Sequence, residues 1–125
     1  MKIYKSGEDY LEMILMLQKE KGYARSIDVA AALGVTKPSV SVAMKKLREN
    51  GYILMDGDNL LSLTPAGEAI ADRIYLRHTV LTQMFVALGV SEETARQDAC
   101  KIEHDLSDET FEAIRRHLGN IESQK

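Results

Sequence analysis

Residues 51–64 interrupt a chain that is otherwise patterned as helices. After Gly51 the apolar residues fall in two short runs, Tyr52–Met55 and Leu60–Leu63. The residues between the runs, Asp-Gly-Asp-Asn, are types that accept a positive φ and favour a tight turn. The segment predicts a single two-stranded hairpin. A mainly α fold with one small hairpin leaves few architectures open, and three short helical segments directly before the hairpin narrow them further.

The first two helices are predicted from caps and apolar spacing. Helix one is expected over roughly residues 7–20, with Ser6 as its N-cap and an acid three residues later. Helix two is expected over about residues 26–33, with Gly34 as its stop. The inward side chains predicted for helix two are Ile27, Ala30, Ala31 and Leu33.

The third helix follows so closely that it pairs with the second. Thr36 is the predicted cap, Pro38 is tolerated in the first turn, and the helix should end at Asn50-Gly51. Two helices joined by a short turn are typical of a helix-turn-helix, but also of an ordinary helical hairpin in a bundle. Because the second helix of this pair is basic and a hairpin follows at once, the pattern favours a winged helix-turn-helix.

The charge is unevenly spread. The net charge of −3 argues against a protein that coats nucleic acid through bulk charge, yet residues 1–50 carry nine Lys/Arg against six Asp/Glu. Residues 36–50 contain four lysine or arginine residues and a single acidic residue. This excess of positive charge indicates one DNA-facing helix, although the solvated face of any helix would look the same. The wing tip is acidic and should either contact DNA weakly or act mainly as a structural edge. The candidate DNA-binding residues are Arg25, Thr36, Lys37, Ser39, Ser41, Lys45 and Lys46, with Val42 also near the base edges.

Behind the hairpin a long helical pattern begins at Thr64-Pro65 and continues to Gly89. A helix of roughly 25 residues must cross between lobes or pair with a second chain. Ser91 is predicted to cap a further helix, and Ser107 a last one that ends near Leu118-Gly119. The apolar stripe of the long helix is Ile70, Ile74, Leu81, Phe85 and Leu88.

Three potential metal ligands stand close together near the end of the helix that Ser91 begins. Cys100, Glu103 and His104 occupy positions i, i+3 and i+4, which lie on one helical face. Sulfur, oxygen and nitrogen donors together suit a divalent transition metal rather than magnesium or calcium. Taken singly, each has an ordinary explanation: a small core cysteine, a surface acid and a C-terminal helix cap.

Further ligands could come from two other places. Asp9 and Glu12 are spaced i, i+3 on helix one, and His78 lies midway along the long helix. The helix dipole explains an acid at Asp9, whereas Glu12 lies beyond the first turn.

Other function classes are disfavoured. No apolar run approaches the roughly 20 residues of a membrane span, and the N-terminal residues are charged, so a cytoplasmic protein without membrane contact is expected. The single cysteine excludes an intramolecular disulfide. An enzyme is not expected, because neither an oxyanion site nor a phosphate-binding glycine loop accompanies Cys100 and His104.

Several segments together resemble one family, the metal-dependent repressors that include the diphtheria toxin repressor and the manganese transport regulator. The resemblance covers nearly the whole chain. The length of the chain is similar to that of the shorter, manganese type, since no SH3-like domain is expected after the last helix. The matching segments are Glu8 to Glu12, Gly22 to Arg25, Leu63 to Gly67, Arg77-His78 and Cys100 to Ser107.

The resemblance implies a ligand set of mixed character. Cys100 is similar to the iron-type branch, where the manganese branch has glutamate, while Asp9 is similar to the manganese branch, where the iron branch has methionine. Cys100 stands where the manganese branch has a bridging glutamate, which argues against a two-metal cluster. The iron branch also has an ancillary metal site, but Thr82 and Arg96 replace its acid and its histidine, so this second site is not expected. His117 matches no ligand and should lie on the surface. The implied metal ligands are Asp9, Glu12, His78, Cys100, Glu103 and His104.

The resemblance thus implies a two-domain repressor. Residues 1–63 would form a winged helix-turn-helix DNA-binding domain, and residues 64–125 a helical metal-binding and dimerisation domain. Mn²⁺ or Fe²⁺, with Co²⁺, Ni²⁺ or Zn²⁺ as substitutes, would fix the two recognition helices of a homodimer for a palindromic operator of metal-homeostasis genes. The rival hypothesis is a winged-helix regulator that senses redox state through Cys100, or a small ligand.

Overall fold

The computed structural model describes residues 5–123, without the side chains of residues 121–123. This part of the chain contains six helices and one hairpin. Their bounds are α1 Lys5–Lys21, α2 Ser26–Leu33, α3 Lys37–Glu49, β1 Ile53–Met55, β2 Leu61–Leu63, α4 Pro65–Ala87, α5 Glu92–Ile102 and α6 Asp108–Ser123. The chain divides into two compact units, residues 1–72 and 73–125, so the division falls within α4.

The first unit is a winged helix-turn-helix, as the sequence predicted. Helix α1 packs on α2, α3 and β2, and β1 packs on α3. Buried apolar residues from every element fill the space between them. They include Leu11, Ile14, Val29, Val40, Met44, Ile53 and Leu61.

The wing is an antiparallel pair in which Ile53 faces Leu63 and Met55 faces Leu61. Its turn is held by the Asp56 carboxylate, which accepts hydrogen bonds from the backbone N–H of Asp58 at 2.8 Å and of Leu60 at 3.0 Å. The N–H of Leu61 donates to the carbonyl of Ala24 at 2.8 Å. The hairpin is therefore anchored to the segment just before α2.

The start of α4 lies against the beginning of the wing. The Thr64 hydroxyl donates to the carbonyl of Gly51 at 2.6 Å and accepts from the N–H of Gly67 at 3.2 Å. A Cβ atom at Gly67 would overlap the carbonyl oxygen of Tyr52. Only glycine lets the helix approach this closely.

The second unit contains the rest of α4 together with α5 and α6. Its core includes Val80 and Met84 from α4, and Phe111 and Leu118 from α6, with Ile114 packed against them. Ser107 caps α6 by accepting from the N–H of Thr110 at 3.1 Å, as predicted. Ser91 likewise caps α5.

Several local predictions were wrong. Ser6 lies inside α1 and is not its cap. Ile27 is 55% exposed, and Ala31 is exposed as well, because α2 packs through Val29 and Ala30 instead. Leu88 lies beyond the end of α4 and is 71% exposed. Helix α6 passes through Gly119 to Ser123, since this glycine does not take up the positive φ that ends a helix.

Candidate metal centre and nucleic-acid surface

A buried carboxylate lies at the centre of the candidate metal site in the second unit. Glu103 is 0% exposed, and its Oε2 lies 2.9 Å from Nδ1 of His78 on α4. Burying a charged carboxylate is costly unless a donor or a cation compensates it. The surface-acid interpretation of Glu103 is therefore wrong.

Glu103 is placed by the end of α5. This helix ends at Ile102, with Glu103 as its C-cap. The residue keeps helical angles, φ −59° and ψ −25°, and its N–H donates to the carbonyl of Ala99 at 2.9 Å. For this reason Cys100, three residues earlier, still lies nearby: its sulfur is within 4.8 Å of a Glu103 carboxylate oxygen. Cys100 is exposed, which contradicts the core-cysteine interpretation.

His104 stands on the other side of the same carboxylate. The His104 side chain is 2% exposed, and its Nε2 lies 3.4 Å from Oε1 of Glu103. This Oε1 atom is buried and makes no hydrogen bond to any described residue. A buried carboxylate with one oxygen that lacks a donor, near a thiol and two imidazoles, fits the donor set of a divalent transition metal.

Arg77 is a residue of this region for which no role was predicted. Although charged, it is 1% exposed, directly before His78 in α4. Its guanidinium donates to the carbonyls of Glu103 at 3.0 Å and Leu106 at 2.6 Å, and to the Asp108 carboxylate at 2.6 Å. The segment Arg77-His78 could be seen in the sequence, but nothing there showed that the arginine would be buried.

The predicted ligands of the first unit lie on α1. Glu12 is 6% exposed and Asp9 is half-buried. Glu8, which is not among the predicted ligands, is also buried, at 8% exposure. Its spacing of four residues from Glu12 was the signal that these two acids share a helix face.

The remaining residues considered as ligands make other interactions. The Thr82 hydroxyl donates to the carbonyl of His78 at 2.7 Å, as is common within a helix. Arg96 pairs with Glu92 at 2.8 Å on the surface of α5. His117 is exposed, as expected.

The candidate DNA-binding residues lie on the exposed side of the first unit. The side chain of Thr36 accepts from the N–H of Ser39 at 3.2 Å and so caps α3, as predicted. Val42, on the same helix, is 57% exposed. Arg25 stacks on the ring of Tyr23, with Cζ 5.6 Å from the ring centroid. All seven predicted residues are exposed: Arg25, Thr36, Lys37, Ser39, Ser41, Lys45 and Lys46.

No helix among residues 5–123 combines the length and the apolar character that crossing a membrane requires.

Both parts of the chain match known families. Residues 2–59 match the N-terminal DNA binding domain of the iron dependent repressors. Residues 64–125 match the iron dependent repressor metal binding and dimerisation domain.

Individual relatives agree with these matches. The transcriptional regulator MntR of Salmonella typhimurium is 42% identical over 107 residues, which are 86% of this chain and 68% of the relative. A solved manganese-dependent transcriptional repressor in complex with manganese superposes with a TM-score of 0.82 at 28% identity, covering 90% of this chain and 52% of that one. The IdeR structure from T. acidophilum gives 0.80 at 27% identity, covering 95% and 55%. This chain thus spans about half the length of each of these two solved structures.

Proposed function

The chain belongs to the iron-dependent repressor family, and on this premise we propose that it is a transcriptional repressor whose binding to DNA requires a divalent transition metal. The observation that carries the proposal is the buried Glu103 carboxylate, with His78 and His104 beside its two oxygens. A carboxylate buried in this way is stable only when its charge is compensated, and a metal ion would provide that compensation. Members of the family are regulators, and no catalytic role is proposed.

The proposed ligands are of two kinds. His78, Cys100, Glu103 and His104 are supported by their geometry within the second unit. Asp9 and Glu12 are supported by the family resemblance and by the burial of Glu12 on α1. When bound, the ion supplies a Lewis-acidic positive charge that these donors coordinate.

The proposed ion is Mn²⁺ or Fe²⁺. Carboxylate ligands favour the harder Mn²⁺, whereas the Cys100 thiolate favours Fe²⁺ and the later metals. The relatives differ in the same way, since one solved neighbour is a repressor in complex with manganese and the matching family is named for iron. The ion activates the protein only to the extent that it binds the DNA-competent conformation more tightly than the others.

We propose that DNA is bound as a homodimer at a palindromic operator. The exposed face of α3 would enter the major groove, with Lys45 and Lys46 on phosphates and Ser39, Ser41 and Val42 closer to the bases. The family to which residues 64–125 match is described as a dimerisation domain. A two-fold dimer presents two recognition helices, which calls for two related half-sites.

Metal-dependent DNA binding is the decisive measurement. Genomic fragments are selected with the purified protein, and binding is then titrated with Mn²⁺, Fe²⁺ and chelator at fixed salt, because phosphate contacts make affinity salt-dependent. We expect specific binding to appear with metal, to vanish with chelator, and to be lost in Glu103→Gln. The matched control is Glu93→Gln, which neutralises an exposed acid in the first turn of the same helix.

The opposite results are informative as well. Specific binding that ignores both metal and chelator would refute the metal switch while retaining the winged helix. The exposed thiol of Cys100 makes redox sensing the second candidate in that case. Sensitivity of DNA binding to peroxide that disappears in Cys100→Ser would then establish it.

A further inference from the structure

We infer that Arg77 is a positioning residue of the metal centre: its guanidinium closes the end of α5 and thereby holds the Glu103 carboxylate toward His78. The inference rests on the proposed function, since it assigns Arg77 a role in a site whose ligands are themselves proposed. Arg77 does not touch the carboxylate. Its hydrogen bond with Glu103 is made to the backbone carbonyl.

The end of α5 differs from the ends of the four preceding helices. Helices α1 to α4 are each followed within two residues by a glycine with positive φ, at Gly22, Gly34, Gly51 and Gly89. Such a glycine turns the chain so that local N–H groups can reach the last carbonyls of the helix. After α5 the chain reads Glu-His-Asp-Leu-Ser, which contains no glycine.

Arg77 supplies donors from another helix to two carbonyls at and just beyond this end of α5. One guanidinium nitrogen, Nη1, donates to the carbonyls of Glu103 and Leu106, and the other, Nη2, donates to the Asp108 carboxylate. The group therefore holds the C-cap of α5, the connecting loop and the first residue of α6 at once. Its Cζ atom also lies 5.2 Å from the centroid of the Phe111 ring, on α6. A planar group with five donors suits this task, whereas a lysine ammonium is a point charge without the fork.

Glu103 is consequently held at two points by consecutive residues of α4. Arg77 fixes its backbone carbonyl at 3.0 Å, and His78 lies 2.9 Å from its carboxylate. The side chains of successive helix residues point about 100° apart. Arg77 and His78 can therefore both reach Glu103 only when α5 ends beside these two residues of α4. If the backbone of Glu103 rotates, its carboxylate turns away from His78. The Arg77 contacts oppose that rotation before any ion binds.

The test compares Mn²⁺ affinity in the absence of DNA with order in the metal-free protein. Arg77→Lys keeps the positive charge but removes the forked pair of guanidinium donors. We expect the dissociation constant for Mn²⁺ to rise at least tenfold in this variant. Asp108→Asn leaves Arg77 in place but removes its exposed anchor, and should weaken binding about threefold. Since Asp108 is 82% exposed, this second variant tests the inference even if Arg77→Lys does not fold.

Two controls match these changes. Arg73→Lys alters an arginine one turn earlier on α4 that also approaches Asp108, at 3.6 Å, and should leave the Mn²⁺ affinity unchanged. Glu109→Gln removes a first-turn acid of α6 next to Asp108 and controls for the effect of the helix dipole.

Amide hydrogen exchange of the metal-free protein distinguishes positioning from mere support of the fold. In the Arg77 and Asp108 variants the amides of Glu103 and Asp105 should exchange faster, while those of the α4 core keep their protection. Faster exchange throughout the second unit, with an unchanged Mn²⁺ dissociation constant, would show a structural role only and overturn the inference.

Glu103→Gln, measured in parallel, separates the two hypotheses. If it weakens Mn²⁺ binding and both variants at Arg77 and Asp108 bind as the wild type does, the positioning role is wrong and the proposed site stands. If Glu103→Gln binds Mn²⁺ unchanged, the proposed site is wrong and the positioning role fails with it.

Discussion

Gly67 and Gly119 both lie inside helices, but they differ in the space available for a side chain. Gly67 in α4 faces the carbonyl of Tyr52, whereas at Gly119 in α6 no described atom outside the helix's own backbone lies within 4 Å of the position that a Cβ atom would take. The same amino acid is thus required by packing in one helix and is only an entropic cost in the other.

We predict that Gly67→Ala and Gly119→Ala change stability in opposite directions. Gly67→Ala forces α4 away from the wing and should lower the free energy of unfolding by about 1–3 kcal/mol, the usual cost of overpacking. Gly119→Ala should raise it by roughly 0.5–1 kcal/mol, because alanine is the better helix former. Urea denaturation of the metal-free proteins measures both. A stable Gly67→Ala variant would mean that the wing does not constrain the start of α4.

Burial decides the chemical character of the acids. Glu103 and Glu93 belong to the same helical segment, yet Glu103 is 0% exposed at the C-cap and Glu93 is exposed in the first turn. Composition and spacing treat them alike. Their different surroundings make one a candidate ligand and the other a suitable control.

At the level of elements, α3 divides its residues by face. Val40, Met44 and Leu47 are buried at 1–2% exposure, which fixes the helix against α1, α2 and the wing. The exposed residues of α3 are polar or charged, apart from Pro38 and Val42. Because the apolar stripe determines how α3 is rotated about its axis, it also determines which basic side chains can reach DNA.

We predict that Lys45 and Lys46 bind phosphates. Lys45→Ala and Lys46→Ala should each weaken DNA binding similarly for all sequences, and each should reduce the slope of log K against log salt by roughly 1. Lys101→Ala is the control, since this exposed lysine lies on α5 in the second unit. Titration of the operator at several salt concentrations measures the slope. An unchanged slope in both variants would remove α3 from the phosphate contacts.

At the level of the whole molecule, apolar side chains remain exposed on the second unit. Leu76 is 38% exposed and Val86 44% exposed on α4, and Leu88 just after it is 71% exposed. Exposed large apolar groups are a feature of surfaces that pair with another chain. Homodimerisation through this unit is consistent with the family that it matches.

We predict that Leu76→Glu with Leu88→Glu shifts the protein from dimer toward monomer. A buried unpaired carboxylate in an interface is strongly unfavourable, so the change should be visible at micromolar concentration by sedimentation velocity. Leu54→Glu is the control, because Leu54 is 59% exposed on β1 of the first unit. A dimer that survives the double substitution would exclude this surface from the interface.

Local patterns were sufficient for most of the fold. The caps Thr36, Ser91 and Ser107, the stop at Gly34 and the Asp-Gly-Asp-Asn turn each act through neighbours a few residues away in the chain. Interactions between residues so close in the chain can be recognised from the sequence. For this reason the order of the helices and the position of the wing were predicted correctly. The spacing of Cys100, Glu103 and His104 was also visible there.

Only the tertiary structure decided which of these groups are buried and what holds them. The exposure of Ile27, the burial of Arg77 and the contact between His78 and Glu103, 25 residues apart, depend on partners that are distant in the chain. Gly119 was misjudged because a glycine ends a helix only where the chain turns into the left-handed region. The sequence alone therefore determined the elements and the candidate ligands. Packing determined which side chains lose contact with water, and desolvation is what makes a buried carboxylate require a cation.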